Sequence, residues 1–173
     1  MIIRIYIFTL LLFVAGCGYQ FSGATHALPG DISRIKVNLF ENLTAEPYLE
    51  SYITASTNLR LMRQSEVVLV ESQEAAEAVL QGQILQYRLA AISYDSLDNI
   101  QSYRMTVRVG ASLKRLSDGK ILWRGEIVRY HDFVTYGTSI IAQEDRESAA
   151  QKALSERIAE DLAWQMATGF GGE

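Results

Sequence analysis

The sequence predicts an α+β fold, a two-layer sandwich with two helices packed on one face of a mixed four- to five-stranded sheet. Three observations carry that expectation. From Tyr103 to Lys114 apolar and polar residues alternate without a break, the pattern of a half-buried strand. Near the C-terminus Ala150, Leu154, Ile158, Leu162 and Met166 recur every fourth residue, the stripe of an amphipathic helix. The elements run β-α-β-β-β-β-α, and each helix has one apolar stripe to bury, so both helices must cover the sheet from one side.

Taken in order, Ile35, Val37 and Leu39 alternate with Lys36 and Asn38, which predicts a first strand. Asn42 and Thr44 can cap a following helix, and Pro47 suits a first helical turn. Leu49, Tyr52, Ile53, Ser56, Leu59 and Met62 recur at helical spacing, so a helix is expected over residues 46–63. The β-branched run Val67-Val68-Leu69-Val70 predicts a short buried strand, Glu74 to Glu77 a helical turn, and Val79 to Leu89 a further strand.

The long strand after it places Tyr103, Met105, Val107, Val109, Ala111 and Leu113 on one face. Its other face carries Arg104, Thr106, Arg108, Gly110, Ser112 and Lys114. Ser117-Asp118-Gly119 then turns the chain. A two-residue Asp-Gly loop would set Leu113 against Arg124, whereas a three-residue loop with Gly119 left-handed in a bulge pairs Leu113 with Trp123 and Val109 with Ile127. The second register keeps apolar residues together and is the one expected. A loop is expected from Asp132 to Ala142, then a helix from Gln143 to Met166. Glu144, Asp145 and Glu147 suit its first turn electrostatically, and Gly169 lies past its end.

The chain begins with Arg4 ahead of an apolar run from Ile5 to Val14, and the small residues Ala15 and Gly16 precede the single cysteine, Cys17. Ten residues of helix rise only about 15 Å, half of a bilayer's hydrocarbon core, so the run cannot span a membrane. Its layout is that of a secretory signal peptide over residues 1–16. Val14-Ala15-Gly16-Cys17 resembles the lipobox of bacterial lipoproteins, which implies cleavage between Gly16 and Cys17 and acylation of the Cys17 sulfur. Two or three acyl chains would hold a small domain on a membrane, as one chain would not. A buried core thiol is the competing reading of Cys17. A disulfide within the chain is excluded for want of a second cysteine. The resemblance to bacterial lipoproteins also implies, from Gly18 rather than Asp after the cysteine, that the anchored protein leans toward the outer membrane. Residues 17–31 read as a lipidated tether and 32–170 as the folded domain.

Without residues 1–16 the chain holds 15 basic and 20 acidic side chains, a formal charge of −5, which argues against nucleic acid as a partner. The charge is uneven: Gly82 to His131 carries 8 Lys or Arg against 4 Asp or Glu. In the register above Arg104, Arg108 and Lys114 share a face with Lys120 and Arg124, and Arg88 can join them. Such a face could hold a phosphorylated or carboxylated ligand. The plainer reading, and the one favoured for any single residue, is a solvated sheet face partly neutralised by Glu126 and Asp132. No phosphate-binding glycine loop, dinucleotide fingerprint or zinc motif occurs. His26 and His131 stand apart without carboxylates at ligand spacing, and helix-start electrostatics accounts for the acidic run Glu144-Asp145-Arg146-Glu147 without a metal. No catalytic group, metal ligand set or cofactor site is expected, and the protein reads as a non-enzyme.

From Cys17 to about Phe170 the chain resembles the lipopolysaccharide-assembly lipoproteins of the LptE family. The start "CGYQFSG", the segment "LPGDISRIKVNLFENLTAEPYLE", the strands "GQILQYRLAAISYDS" and "SYRMTVRVGASLKRLSDGKILWRGE", and the closing helix "ALSERIAEDLAWQM" carry the resemblance by their order and spacing. It implies a domain tethered to the periplasmic face of the outer membrane and seated in the lumen of the β-barrel LptD. There it acts without catalysis in the transport and assembly of lipopolysaccharide at the cell surface. Family members implicated in lipopolysaccharide contact carry basic residues in two loops, but "SYDSLDNIQ" and "TYGTSIIAQ" contain neither Lys nor Arg. Those roles are not carried over, and Arg104, Arg108, Lys114, Lys120 and Arg124 stand as candidate contacts from strand parity alone. The rival expectation is an envelope lipoprotein that activates or scaffolds a cell-wall synthase. The short 17–31 tether favours a partner at the membrane itself.

Overall fold

A computed structural model describes residues 28–135 and 140–169. Residues 1–16, Gly16 and Cys17 at the expected cleavage site, and His26 lie outside them. The element order is β1 (Arg34–Val37), β2 (Glu41–Asn42), α1 (Leu49–Met62), β3 (Val68–Leu69), β4 (Ala78–Tyr94), β5 (Ile100–Arg115), β6 (Ile121–Val134) and α2 (Ile140–Thr168). The sheet is six-stranded in the order β3-β1-β4-β5-β6, with β2 also paired to β4. β1 is parallel to β3 and β4, β2 is parallel to β4, and β4, β5 and β6 form an antiparallel meander. Both helices pack on one face of this mixed sheet, the expected two-layer α+β sandwich.

β4 takes two short strands along one edge. Its start pairs with β1 through Ile35 opposite Ala78, and a few residues on it pairs with β2 through Asn42 opposite Ile84. The link between β1 and β2 breaks the expected alternation, because Leu39 is 65% exposed while Phe40 is 1% exposed. Phe40 turns into the core, where its N–H donates to Thr54 Oγ1 of α1 at 3.0 Å.

α1 begins later than expected, and its N-terminal residue Tyr48 is left-handed with no side-chain cap. Asn42 instead ties up the loop: its Nδ2 donates to the Glu46 carbonyl at 2.7 Å and to Glu50 Oε2 at 2.8 Å. The buried stripe of α1 is Leu49, Ile53, Thr57 and Leu61, whereas Leu59 and Met62 face outward. Thr57 can sit in the core because its hydroxyl donates to the Ile53 carbonyl at 2.7 Å. The run around Val68 is an edge strand with Val68 exposed, and the expected turn falls at Gln73 to Ala75, closed by the Ala76 N–H donating to the Gln73 carbonyl at 3.3 Å.

The expected faces of β5 hold, with Met105, Val107, Val109, Ala111 and Leu113 buried. Leu113 pairs with Trp123 and Val109 with Ile127, and Gly119 is left-handed at φ 71°. The bulge falls at Leu122 rather than at Gly119, so Lys114 pairs with Ile121. β4 and β6 run past their expected ends to Tyr94 and Val134. The last helix starts at Ile140, so Glu144, Asp145 and Glu147 lie beyond its first turn and the dipole argument does not apply to them. Its predicted stripe, Ala150 to Met166, is fully buried in the core.

One polar network locks the start of α1 to α2 and β4. Tyr87 Oη donates to Glu147 Oε1, and Gln151 Nε2 donates to Glu46 Oε1 at 2.6 Å. Burial, then the hydrogen bond to Glu147, raises the Tyr87 hydroxyl above the ordinary tyrosine value. Burial also raises the Glu46 carboxyl; the Gln151 bond opposes that shift and Glu147 adds to it.

Candidate functional site

The face of the sheet turned away from the helices is where strand parity placed the cations. Arg104 stands directly opposite Asp132 and forms a two-pronged pair, Nε to Oδ1 at 2.7 Å and Nη2 to Oδ2 at 2.8 Å. Its guanidinium also lies 4.3 Å from the centroid of the Tyr130 ring. The hydrogen bond from Arg104 is the chief reason the Asp132 carboxyl lies below the ordinary value, and the same bond raises Arg104. Arg108 Nη1 reaches Glu126 Oε1 at 3.0 Å. Both pairs are solvent-exposed, so each contributes little to stability.

The predicted cations are therefore not one cluster. Arg104 and Lys114 are ten residues apart on β5, about 33 Å at the rise of an extended strand. The first two cations are occupied by carboxylates. Among the described residues Arg88, Lys114, Lys120 and Arg124 form no ion pair. Arg124 lies opposite Ser112, and Lys114 is its diagonal neighbour at about 7 Å. Lys120 departs from expectation, since the bulge at Leu122 sets Ile121 in the position opposite Lys114. The bulge was hidden because the Leu113 pairing is the same with or without it.

Beside Arg124 the sheet carries a trough of about 810 Å³. Gly110 leaves its floor bare between Gln83 and Glu126, and Gln81, Ser112 and Arg124 form the next row. Leu39 and Glu41 close it along β4, where Glu41 Oε2 accepts from Gln83 Nε2 at 2.7 Å. The Gln81 and Gln83 amides, the Ser112 hydroxyl and the unengaged Arg124 guanidinium line it together with the carboxylates of Glu41 and Glu126, a polar surface suited to a hydroxyl-rich group whose anionic part lies at Arg124. The sequence reading missed Gln81 and Gln83; their alternation around Gly82 was the available signal. His131 pairs in register with Met105, away from this trough. Among the described residues no group of three metal-ligating side chains converges.

The fold is shared with bacterial lipoproteins. Lipoprotein B from Nitrosomonas europaea superposes with a TM-score of 0.58 at 16% identity, covering 89% of this chain and 94% of that one. Rare lipoprotein B from Shewanella oneidensis gives 0.55 at 14% identity, over 79% of this chain and 96% of that one. At such identities the likeness speaks for the fold alone. No curated protein matches the chain by sequence. The sequence profile of the family described as LptE, lipopolysaccharide-assembly, matches residues 32–167. That span takes in every strand and nearly all of the last helix, and on that ground the chain belongs to the LptE family of lipopolysaccharide-assembly proteins.

Proposed function

We infer that this protein serves as the non-catalytic partner of the LptD β-barrel in transporting lipopolysaccharide to the cell surface and assembling it there. It is a lipid-anchored lipoprotein of the outer membrane, facing the periplasm. The family match over residues 32–167 carries this reading. The fold agrees with it: a two-layer sandwich with an exposed sheet face and a long open strand edge.

Two finer assignments belong to the same reading. The lipid is carried on Cys17 after cleavage behind Gly16, supported by the apolar run and small residues that precede it. Contact with the phosphorylated saccharide of lipopolysaccharide is made through the outer sheet face. Arg124 and Lys114 are its strongest members because no carboxylate among the described residues neutralises them. Arg104 and Arg108, each held by a carboxylate, are secondary, and Lys120, which stands opposite Arg115 rather than beside Lys114, is not among them.

The test is detergent extraction of outer membranes followed by purification on a C-terminal tag. Recovery of a large β-barrel supports the reading. Recovery of a cell-wall synthase in its place replaces it with the synthase-activator role. Mass spectrometry of the mature N-terminus checks the anchor, and an unmodified Cys17 rules it out.

A further inference from the structure

Among the described strands β6 presents the long regular edge of the sheet. The opposite edge ends in β3, only two residues long. β4 is covered by β1 and β2 over its first half and interrupted by bulges at Leu85 and Ile92 over its second. β6, by contrast, runs from Trp123 to Val134 without a bulge or a proline, and no described strand pairs with its outer side. An edge of that kind is a template for another strand.

The direction of its backbone groups follows from the register. The Thr135 N–H donates to the Gln101 carbonyl at 2.8 Å, so position 135 faces β5. Successive residues of a strand turn their N–H and C=O to opposite sides. Glu126, Val128, Tyr130, Asp132 and Val134 therefore direct theirs outward. A side chain confirms it: Arg129 Nη1 donates to the Val128 carbonyl at 3.2 Å while its Nη2 holds Asp161 of α2 at 2.9 Å. A carbonyl has two lone pairs, so that contact leaves one free.

Between this edge and α2 runs a groove of about 480 Å³ lined by Val128, Arg129, Tyr130, Arg157, Glu160 and Asp161. A strand edge flanked by a helix is the setting in which extended peptides bind by adding a strand. The side chains on the outer face define what fits. Glu126 and Asp132 are engaged by Arg108 and Arg104, whereas Arg124 lacks a carboxylate among the described residues. Val128 and Tyr130 are apolar and about half exposed.

We propose that the outer edge of β6 is extended by a strand from the barrel partner, a segment that sets apolar side chains against Val128 and Tyr130 and a carboxylate against Arg124. The proposal rests on the partnership inferred above and adds to it the surface and the mode of contact.

The test uses the intact complex. Hydrogen exchange is measured on the free protein and on the detergent-purified complex with the barrel. The amides of Glu126, Val128, Tyr130 and Asp132 exchange fast in the free protein and at least about tenfold more slowly in the complex, while their odd-numbered neighbours are protected in both. Val128→Pro removes an outward N–H and leaves the β5 ladder intact. It lowers recovery of the barrel about tenfold with unfolding unchanged. If the complex forms but those amides exchange as before, or Val128→Pro recovers the barrel normally, the added strand is refuted and the partnership stands. If no barrel is recovered with the wild type, both fall. Protection appearing in concentrated partner-free protein assigns the edge to a second copy and overturns the proposal.

Discussion

The ring of Phe40 fills the space that a side chain at Gly82 would need: a Cβ there would lie 2.1 Å from the ring. Phe40 joins the loop between β1 and β2 to α1, and Gly82 sits in β4 between the residues that pair with those two strands. Gly82→Ala therefore displaces the ring and costs about 1–3 kcal/mol, the range for overpacked cores. Phe40→Ala costs about 3–5 kcal/mol. The double variant should be no less stable than Phe40→Ala alone, because the clash is gone once the ring is removed. Urea unfolding of the three variants checks this, and additive losses would contradict it.

Charge on the outer face should act unequally. Arg124→Glu with Lys114→Glu removes cations that have no carboxylate partner among the described residues, so binding to lipopolysaccharide micelles falls about tenfold at low salt. Arg104→Gln disturbs a guanidinium already held by Asp132 and changes binding at most about twofold. The first effect shrinks in high salt as screening grows. Titration by isothermal calorimetry reads both, and equal losses in the two variants would show that engagement with carboxylates does not rank these contacts.

The Glu46 carboxyl gives a pH signature of definite sign. Its folded value lies above the ordinary 4.5, so the native state binds the proton more tightly than the unfolded chain. Ionised Glu46 therefore weakens the fold near neutrality, and the penalty is relieved as pH falls through its folded value. Asp132 and Glu77 lie below their ordinary values and act oppositely: their contribution is present above the ordinary carboxylate range and is lost as pH falls through the lowered values. Glu46→Gln keeps an oxygen for Gln151 and removes the charge. Its melting temperature should exceed the wild type's at pH 7, with the gap closing toward pH 4.5. A gap that is constant across that range would show that Glu46 is not titrating there.

How far the sequence reveals this molecule depends on whether a residue's polarity matches its place. α2 was legible because the stripe from Ala150 to Met166 is apolar throughout, even though Gln151 and Ser155 beside it are buried as well. α1 was half legible, because Thr57 lies in the core with its hydroxyl satisfied by its own helix while Leu59 and Met62 are 58% and 65% exposed. Hydropathy ranks those three the wrong way round. At the site, parity placed Arg104, Arg108, Lys114 and Arg124 on the correct face, and the register brought Asp132 and Glu126 to the first two. The trough was not legible, since it arises where a glycine on β5 meets glutamines from β4, a juxtaposition set by the Leu85 bulge and the β2 pairing.

The hairpin between β5 and β6 tests how the turn chemistry and the core share control of register. Gly119 has φ 71°, and a Cβ there would meet only the Lys114 Cε, at 3.6 Å. There is room for a methyl group, so the cost of Gly119→Ala is that of a left-handed L-residue, about 1–2 kcal/mol. Gly119→Asn should cost less, because asparagine enters that region more readily. The register itself should survive in both. Leu113 with Trp123 and Val109 with Ile127 are buried pairs, and a one-residue slip of β6 would turn Trp123 and Ile127 out of the core while β4 holds Leu113 and Val109 in place. Lys114 and Ile121 are neighbours only because Leu122 is the extra residue, so a cross-strand Hα contact between them in NMR spectra reports the bulge directly. That contact should persist in Gly119→Ala while the melting temperature drops. Its replacement by a contact from Lys114 to Leu122 would mean that the turn, and not the core, holds the bulge in place.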